Sequence, residues 1–189
     1  MNNKLVAAGK SSFNLIDVEK TFTILDLQPD THFLDLACGI GNYSLQATNF
    51  ISASGRIYAL DLWKEGLESL RQVAAKREID NIEAIQADAT TPFPLPDSSI
   101  DSCLIATALH DLPHSTRPNV IEEVARVLKP DGCFNIIEFK KLDDGPGPPN
   151  NIRIDEVEVS ELVLPLGFEK ISYDEIGDFN YLLKFRKTR

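Results

Sequence analysis

Positive charge, sulfur and long apolar runs are all scarce in this sequence. Nineteen Lys and Arg stand against 29 Asp and Glu, a formal net charge of −10. Non-specific affinity for nucleic acid comes mainly from cations that neutralise phosphates, so this balance argues against a nucleic-acid partner. The one basic cluster of note, "KFRKTR" at the C-terminus, reads as the solvated end of an edge strand. The three cysteines, Cys38, Cys103 and Cys133, are odd in number, lie far apart and form no CxxC pair. Neither a disulfide framework nor a zinc site is expected of them; they read as reduced core residues. No run approaches the apolar length of a membrane span, and the start, "MNNKLVAAGKSSFN", lacks the apolar core of a signal peptide. A soluble, cytoplasmic protein with no membrane partner is the expectation. Nothing in the sequence speaks to its oligomeric state.

What is present can bury one substantial core: 189 residues, 43% hydrophobic and 25% charged. A single domain over residues 1–189 follows. Short strand-like runs rich in β-branched residues alternate with segments of helical periodicity, the sign of βαβ units and a parallel sheet. A first helix is expected over residues 17–27, with Val18, Phe22 and Leu25 on one face, before "QPD" breaks it. Strands follow at "FLDL", "RIYAL", "IEAIQ", "IDSCLIAT" and "CFNIIEF", with helices after Asn42, over residues 63–78, and through Val120, Val124, Val127 and Leu128 to a stop at "KPDG". "TTPFPLPDSS" reads as a surface connection, because its prolines remove donors and fix the backbone. "DDGPGPP" reads as a long mobile loop, and "FEKISYDE" and "FNYLLKFR" as an antiparallel hairpin after a helix near residues 156–164.

In open α/β sheets the ligand lies beyond the carboxyl ends of the strands, where strand order reverses. Those positions hold Asp35 with its glycine loop, Asp61, Asp88, and Thr107 to Asp111. "DLACGIG", then "ALDLW", then "ADA" ahead of "PFPLPDSSID", then "VARVLKPDG", resembles the Rossmann-like (class I) S-adenosylmethionine-dependent methyltransferases, especially the quinone-biosynthesis methylases. The likeness runs over roughly residues 31–139. It implies an α/β fold: a three-layer, Rossmann-like, mixed seven-stranded sheet with five parallel strands and a C-terminal antiparallel hairpin. Residues 1–30 would be an N-terminal helical lid, 31–139 the cofactor-binding core, and 140–189 a loop, helix and hairpin.

The residues themselves leave a rival. Gly39-Ile-Gly41-Asn-Tyr-Ser44 is one residue from a GxGxxG dinucleotide fingerprint, and Asp61 follows Gly41 by 20 residues, suiting a ribose-binding carboxylate in either reading. Two features favour S-adenosyl-L-methionine: Ser44 replaces the third glycine, and Asp35 would stand near the pyrophosphate of a nicotinamide cofactor. Like charges roughly 4 Å apart cost on the order of 4 kcal/mol at an effective dielectric near 20. S-adenosyl-L-methionine has no phosphate, and its sulfonium and ammonium would attract that carboxylate. Glycines let the main chain pass close to a ligand. Ala37 stands where the family more usually has glycine.

By the resemblance, Asp35, Ala37, Gly39 and Gly41 line the cofactor site, Asp61 accepts from the ribose hydroxyls and Leu62 packs on the adenine. Asp88 accepts from its exocyclic amine, the Ala89 amide faces the ring, and Thr107 closes the site after the fourth strand. Trp63 either covers the adenine or opens the following helix. S-adenosyl-L-homocysteine is the implied product and a small molecule the implied methyl acceptor. His110 is the candidate catalytic residue, a proton acceptor for an oxygen or nitrogen nucleophile or else a structural side chain. Asp111 and Glu138 end neighbouring strands, but two isolated carboxylates make a poor hard-cation site, and no metal is expected. An NAD(P)-dependent oxidoreductase and a non-catalytic cofactor-binding protein remain the alternatives.

Overall fold

The structure, a computed structural model, describes residues 11–188. Seven strands form one sheet in the order β3-β2-β1-β4-β5-β7-β6. These are β1 (His32–Leu36), β2 (Arg56–Asp61), β3 (Ile82–Gln86), β4 (Ile100–Ala106), β5 (Leu128–Phe139), β6 (Phe168–Glu175) and β7 (Asn180–Lys187). The first five pair in parallel, and β7 runs antiparallel to both β5 and β6. From β1 the chain winds outward to β3, then returns to lay β4 on the other side of β1. That reversal puts the carboxyl ends of β1 and β4 at the switch point, where open α/β sheets bind ligands.

The sheet's two faces carry different helices. Alternate residues of a strand point to opposite faces, so Phe33 and Ile57 join α1 (Val18–Leu25) and α2 (Asn42–Ala47) in one core, and Ala59 joins α3 (Lys64–Lys76). Leu34, Leu36 and Leu60 face the other way, toward α4 (Arg117–Val127) and α5 (Glu156–Val163). β4 is buried almost throughout and β5 over its last six residues, as expected of central strands covered on both faces. α1 begins at Asp17, whose side chain accepts from the Lys20 N–H, and ends at Asp26 in the left-handed conformation. Its Phe22 and Leu25 are buried. The described part of the segment expected as a lid is thus a layer of the core; residues 1–10 of that expectation lie outside the described residues.

Three expectations need correction. The proline-rich connection is not merely superficial: Phe93 and Leu95 turn inward and are buried in the core. Arg126 holds that loop, donating to the Phe93 and Leu95 carbonyls. Leu128 and "KPDG" belong to β5 rather than to a helix end, because a register shift and Asp131 at φ 63° absorb the kink. The loop after β5 is not loose either. Arg153, 6% exposed, donates to the Pro148, Lys140 and Pro146 carbonyls and lies 5.7 Å over the Phe139 ring.

Candidate active site

Where β1 ends, the chain must turn sharply, and Ala37, Gly39 and Gly41 all take positive φ (58°, 59° and 76°). Ala37 pays a steric penalty there that glycine would not. The two glycines serve different purposes. A Cβ on Gly39 would meet nothing within 4 Å, whereas one on Gly41 would lie 2.6 Å from Leu70 of α3. Gly39 therefore fronts open space and suits a ligand, while Gly41 serves packing, a correction to the expectation that both spare a ligand. Gly66, which the sequence reading passed over, lets α3 approach the loop: a Cβ there would sit 2.6 Å from the Gly39 carbonyl.

The Asp35 carboxylate is held from the side of the loop. It is 1% exposed, and Oδ2 accepts from the Ser44 N–H at 3.0 Å and the Ser44 Oγ at 2.6 Å. Gly41 occupies the α2 N-cap with no side chain to offer, so Asp35 supplies the acceptor from the neighbouring strand. Burial pushes its pKa up to about 7, against the opposing Ser44 hydrogen bonds and with the help of the Asp61 charge. Through Oδ2, Asp35 supports the cofactor loop from beneath. Ser44, read from sequence only as a missing glycine, is its partner.

Asp61 and Asp88 are arranged otherwise. Asp61 Oδ2 accepts from the Gly39 N–H and Oδ1 from the Trp63 N–H, each at 2.7 Å. A carboxylate has about four lone-pair sites, so both oxygens can still receive donors. Beside it Leu62 is 45% exposed and Ile40 37%, apolar surface at the carboxyl end of the sheet. Trp63 caps α3 and is half-buried, with its ring edge where a Gly66 side chain would go. Asp88 Oδ1 accepts from the Thr90 N–H and Oγ1 at 2.8 and 2.7 Å. Among the described residues, Asp88 Oδ2 and the Ala89 N–H have no protein partner.

On the other side of the switch point the groups are buried and bonded to one another. Thr107, at φ 50°, donates its N–H to the Ile137 carbonyl and its hydroxyl to Ser12 Oγ, which also lies 3.1 Å from the Tyr43 hydroxyl. Ser12 thus ties the N-terminal segment to both β4 and α2. His110 sits in a short 3-10 turn, with its N–H on Glu138 Oε1 at 3.1 Å and Nδ1 2.7 Å from Oε2. Glu138 is wholly buried at the end of β5. Burial works to lower the His110 pKa, but the hydrogen bond and charge of Glu138 outweigh it, and the imidazole stands above its ordinary value. Arg117, itself buried, donates to the His110 and Leu112 carbonyls and fixes the turn; its Nη1 lies 3.1 Å from His114 Nδ1. Asp111 is 3.6 Å from His110 Nε2. The pairing of His110 with Glu138, 28 residues away, carried no local signal.

The pattern of the family described as "Methyltransferase domain" matches residues 33–132, more than half the chain. The chain belongs to this methyltransferase family. A demethylmenaquinone methyltransferase of Listeria monocytogenes is 30% identical over 120 residues, 64% of this chain and 49% of that protein. One from Symbiobacterium thermophilum is 28% identical over 114 residues, 60% of this chain and 45% of its own. The chain spans about half the length of these curated relatives. Among solved structures, a SAM-dependent methyltransferase from Aquifex aeolicus matches with TM-score 0.85 and 26% identity, covering 93% of this chain and 92% of its own. An S-adenosylmethionine-dependent methyltransferase from Mesorhizobium loti shares the fold alone, with TM-score 0.70 and 16% identity over 89% of this chain and 96% of that one.

The sheet of this chain also parts it from the dinucleotide-binding rival, whose order is 3-2-1-4-5-6, by threading antiparallel β7 between β5 and β6. S-adenosyl-L-methionine is the cofactor of the family, and the residues present fit it. Open space lies before Gly39, a carboxylate with lone pairs to spare follows β2, exposed Leu62 adjoins it, and a free acceptor and donor stand at Asp88 and Ala89. No helix among the described residues is long and apolar enough to cross a membrane.

Proposed function

We propose that this protein transfers the methyl group of S-adenosyl-L-methionine to a small-molecule acceptor by in-line displacement. The observation that carries the reading is the row of groups at the carboxyl ends of β1, β2 and β3. Gly39 fronts open space while its N–H is held by Asp61, whose oxygens keep room for further donors, and Leu62 and Asp88 stand alongside. In this reading Asp61 receives the ribose hydroxyls and Leu62 covers one face of the adenine. Asp88 Oδ2 and the Ala89 N–H meet the base edge, Gly39 lets the main chain approach, and Ala37, Gly41 and Asp35 hold the loop in shape.

When bound, S-adenosyl-L-methionine supplies a methyl carbon on a sulfonium, with a neutral thioether as leaving group. The chain's own task is then to hold an acceptor in line with that carbon and exclude water, and positioning of this kind can supply much of a rate. Thr107 and His110 follow β4 at the edge where the acceptor would enter. The curated relatives are named for methylating demethylmenaquinone, which makes a quinone ring in its reduced, dihydroxy form the acceptor to try first. We place the protein in the cytoplasm as one domain, working without nucleic acid and without a metal.

The test is the thermal midpoint of the purified protein with S-adenosyl-L-methionine, S-adenosyl-L-homocysteine, NAD and NADP, followed by transfer of labelled methyl into a metabolite extract. A ligand at about 100 times its dissociation constant stabilises the native state by about 2.7 kcal/mol. A shift with the two adenosyl compounds alone, together with a labelled product, is the expected result. A shift with the nicotinamide cofactors alone would reverse the reading, and binding without transfer would leave a cofactor-binding protein.

A further inference from the structure

We propose that Glu138 is the positioning residue of the site, holding His110 so that Nε2 faces the acceptor as a proton acceptor. This rests on the methyl-transfer reading above. Both oxygens of the wholly buried Glu138 carboxylate face His110: Oε1 accepts from its N–H and Oε2 lies 2.7 Å from its Nδ1, with a longer bond from the Phe139 N–H to Oε2 at 3.3 Å. A carboxylate can only accept, so in the neutral imidazole the proton sits on Nδ1 and the lone pair on Nε2. Among the described residues Nε2 has no hydrogen-bond partner, since Asp111 Oδ1 at 3.6 Å is out of range. Among the described residues, the buried side-chain nitrogen and oxygen atoms left without partners are Asn135 Oδ1 and Asn180 Oδ1. Nε2 is not among them, as expected of an atom that opens onto accessible space.

The surroundings hold this arrangement from every side. Arg117 on α4 donates to the His110 carbonyl, and the Phe139 ring meets the imidazole edge-on at 6.1 Å. From β7, Asn180 donates to the Glu138 carbonyl, while the Tyr181 hydroxyl donates to the Ile154 carbonyl. The charged groups acting on the ring are thus Glu138, Asp111 and Arg117, and the two carboxylates favour its cation while Arg117 opposes it.

In the step so assigned, the acceptor's attacking atom bonds to the methyl carbon as the carbon–sulfur bond breaks, and the electron pair of that bond stays on sulfur. The acceptor's proton passes to Nε2, and Glu138 balances the imidazolium. The acceptor must therefore carry an exchangeable proton on, or conjugated with, the attacking atom.

Two measurements test this. In protein with 15N-labelled histidine, His110 at alkaline pH should show protonated Nδ1 and bare Nε2; the opposite tautomer would overturn the assignment without any assay of transfer. Labelled methyl transfer to 1,4-naphthohydroquinone under argon, from pH 5 to 9, supplies the second. Glu138→Gln should lower kcat at least tenfold with KM for S-adenosyl-L-methionine unchanged, and should move the acid limb of kcat to lower pH, because the imidazolium loses its counter-charge. Glu138→Asp should restore part of the rate, and His110→Ala should mask any further loss from Glu138→Gln. An unmoved limb, additive losses, or no transfer to the hydroquinone would overturn the proposal. If that last result came with an intact thermal shift from S-adenosyl-L-methionine, the cofactor reading would stand and only this inference would fall.

Discussion

At the ends of β2 and β3, Asp61 and Asp88 are half-buried and keep acceptor capacity in reserve, whereas Asp35 and Glu138, at the ends of β1 and β5, are 1% and 0% exposed and hold neighbouring residues in place. All four are acidic residues at the same edge of one sheet. Their neighbours decide what they can do. A carboxylate that faces an opening can bind a ligand, and one sealed beneath it can only shape the groups that do. The same contrast separates Gly39, which fronts open space, from Gly41, which fronts Leu70.

The largest effect that would sharpen this division is Glu138→Ala. Removing one partner of a buried pair typically costs about 3–5 kcal/mol, here leaving His110 without its counter-charge. Urea unfolding should show that loss; a cost near that of a surface site would break the comparison. Next comes Asp35. Its folded pKa of about 7 lies above the unfolded 3.8, so the stability at stake is intact below about 3.8 and is lost as pH rises through about 7. Within that window the slope approaches about 1.4 kcal/mol per pH unit. Asp35→Asn keeps an acceptor for Ser44 but removes the titration, so its stability relative to wild type should climb between pH 5 and 8; parallel curves would sink the account.

Asp61→Ala tests the open class. Losing two charge-assisted hydrogen bonds should weaken S-adenosyl-L-methionine about 100-fold by calorimetry, with a smaller effect on folding. Equal affinities would place the ribose elsewhere. Leu62→Ala, at an exposed position, should leave unfolding within about 0.5 kcal/mol of wild type while costing the ligand several-fold. The smallest change expected is Ala37→Gly, which relieves a left-handed alanine and should raise the unfolding free energy by up to about 1 kcal/mol; a loss there would show that the loop tolerates its alanine for another reason.

Much of the fold was legible because strands and helices announce themselves by local periodicity. "IEAIQ" is β3 residue for residue, and the closing hairpin follows from two β-rich runs too close for a crossover. Where the reading failed, a distant partner had overridden a local cue. Phe93 and Leu95 went inward although prolines surround them, Leu128 joined a strand rather than ending a helix, and Arg153 pinned a glycine- and proline-rich loop through three carbonyls. Within the site, Asp61, Leu62, Asp88 and Gly39 lie where the motif order put them. The partners of Ser12, Ser44 and Glu138 were not legible, because each is a hydrogen bond across the fold rather than a local pattern.

By itself, then, the sequence determined the alternation of elements, the glycine turn after β1 and the acidic residue after each of the next two strands. These are short-range properties, fixed by periodicity and by which residues can take positive φ. Tertiary structure alone decided which carboxylates stay half-exposed and which are buried, and that His110 meets Glu138. Burial and long-range pairing depend on how β4 and β5 are laid beside β1, and no local stretch of sequence carries that information.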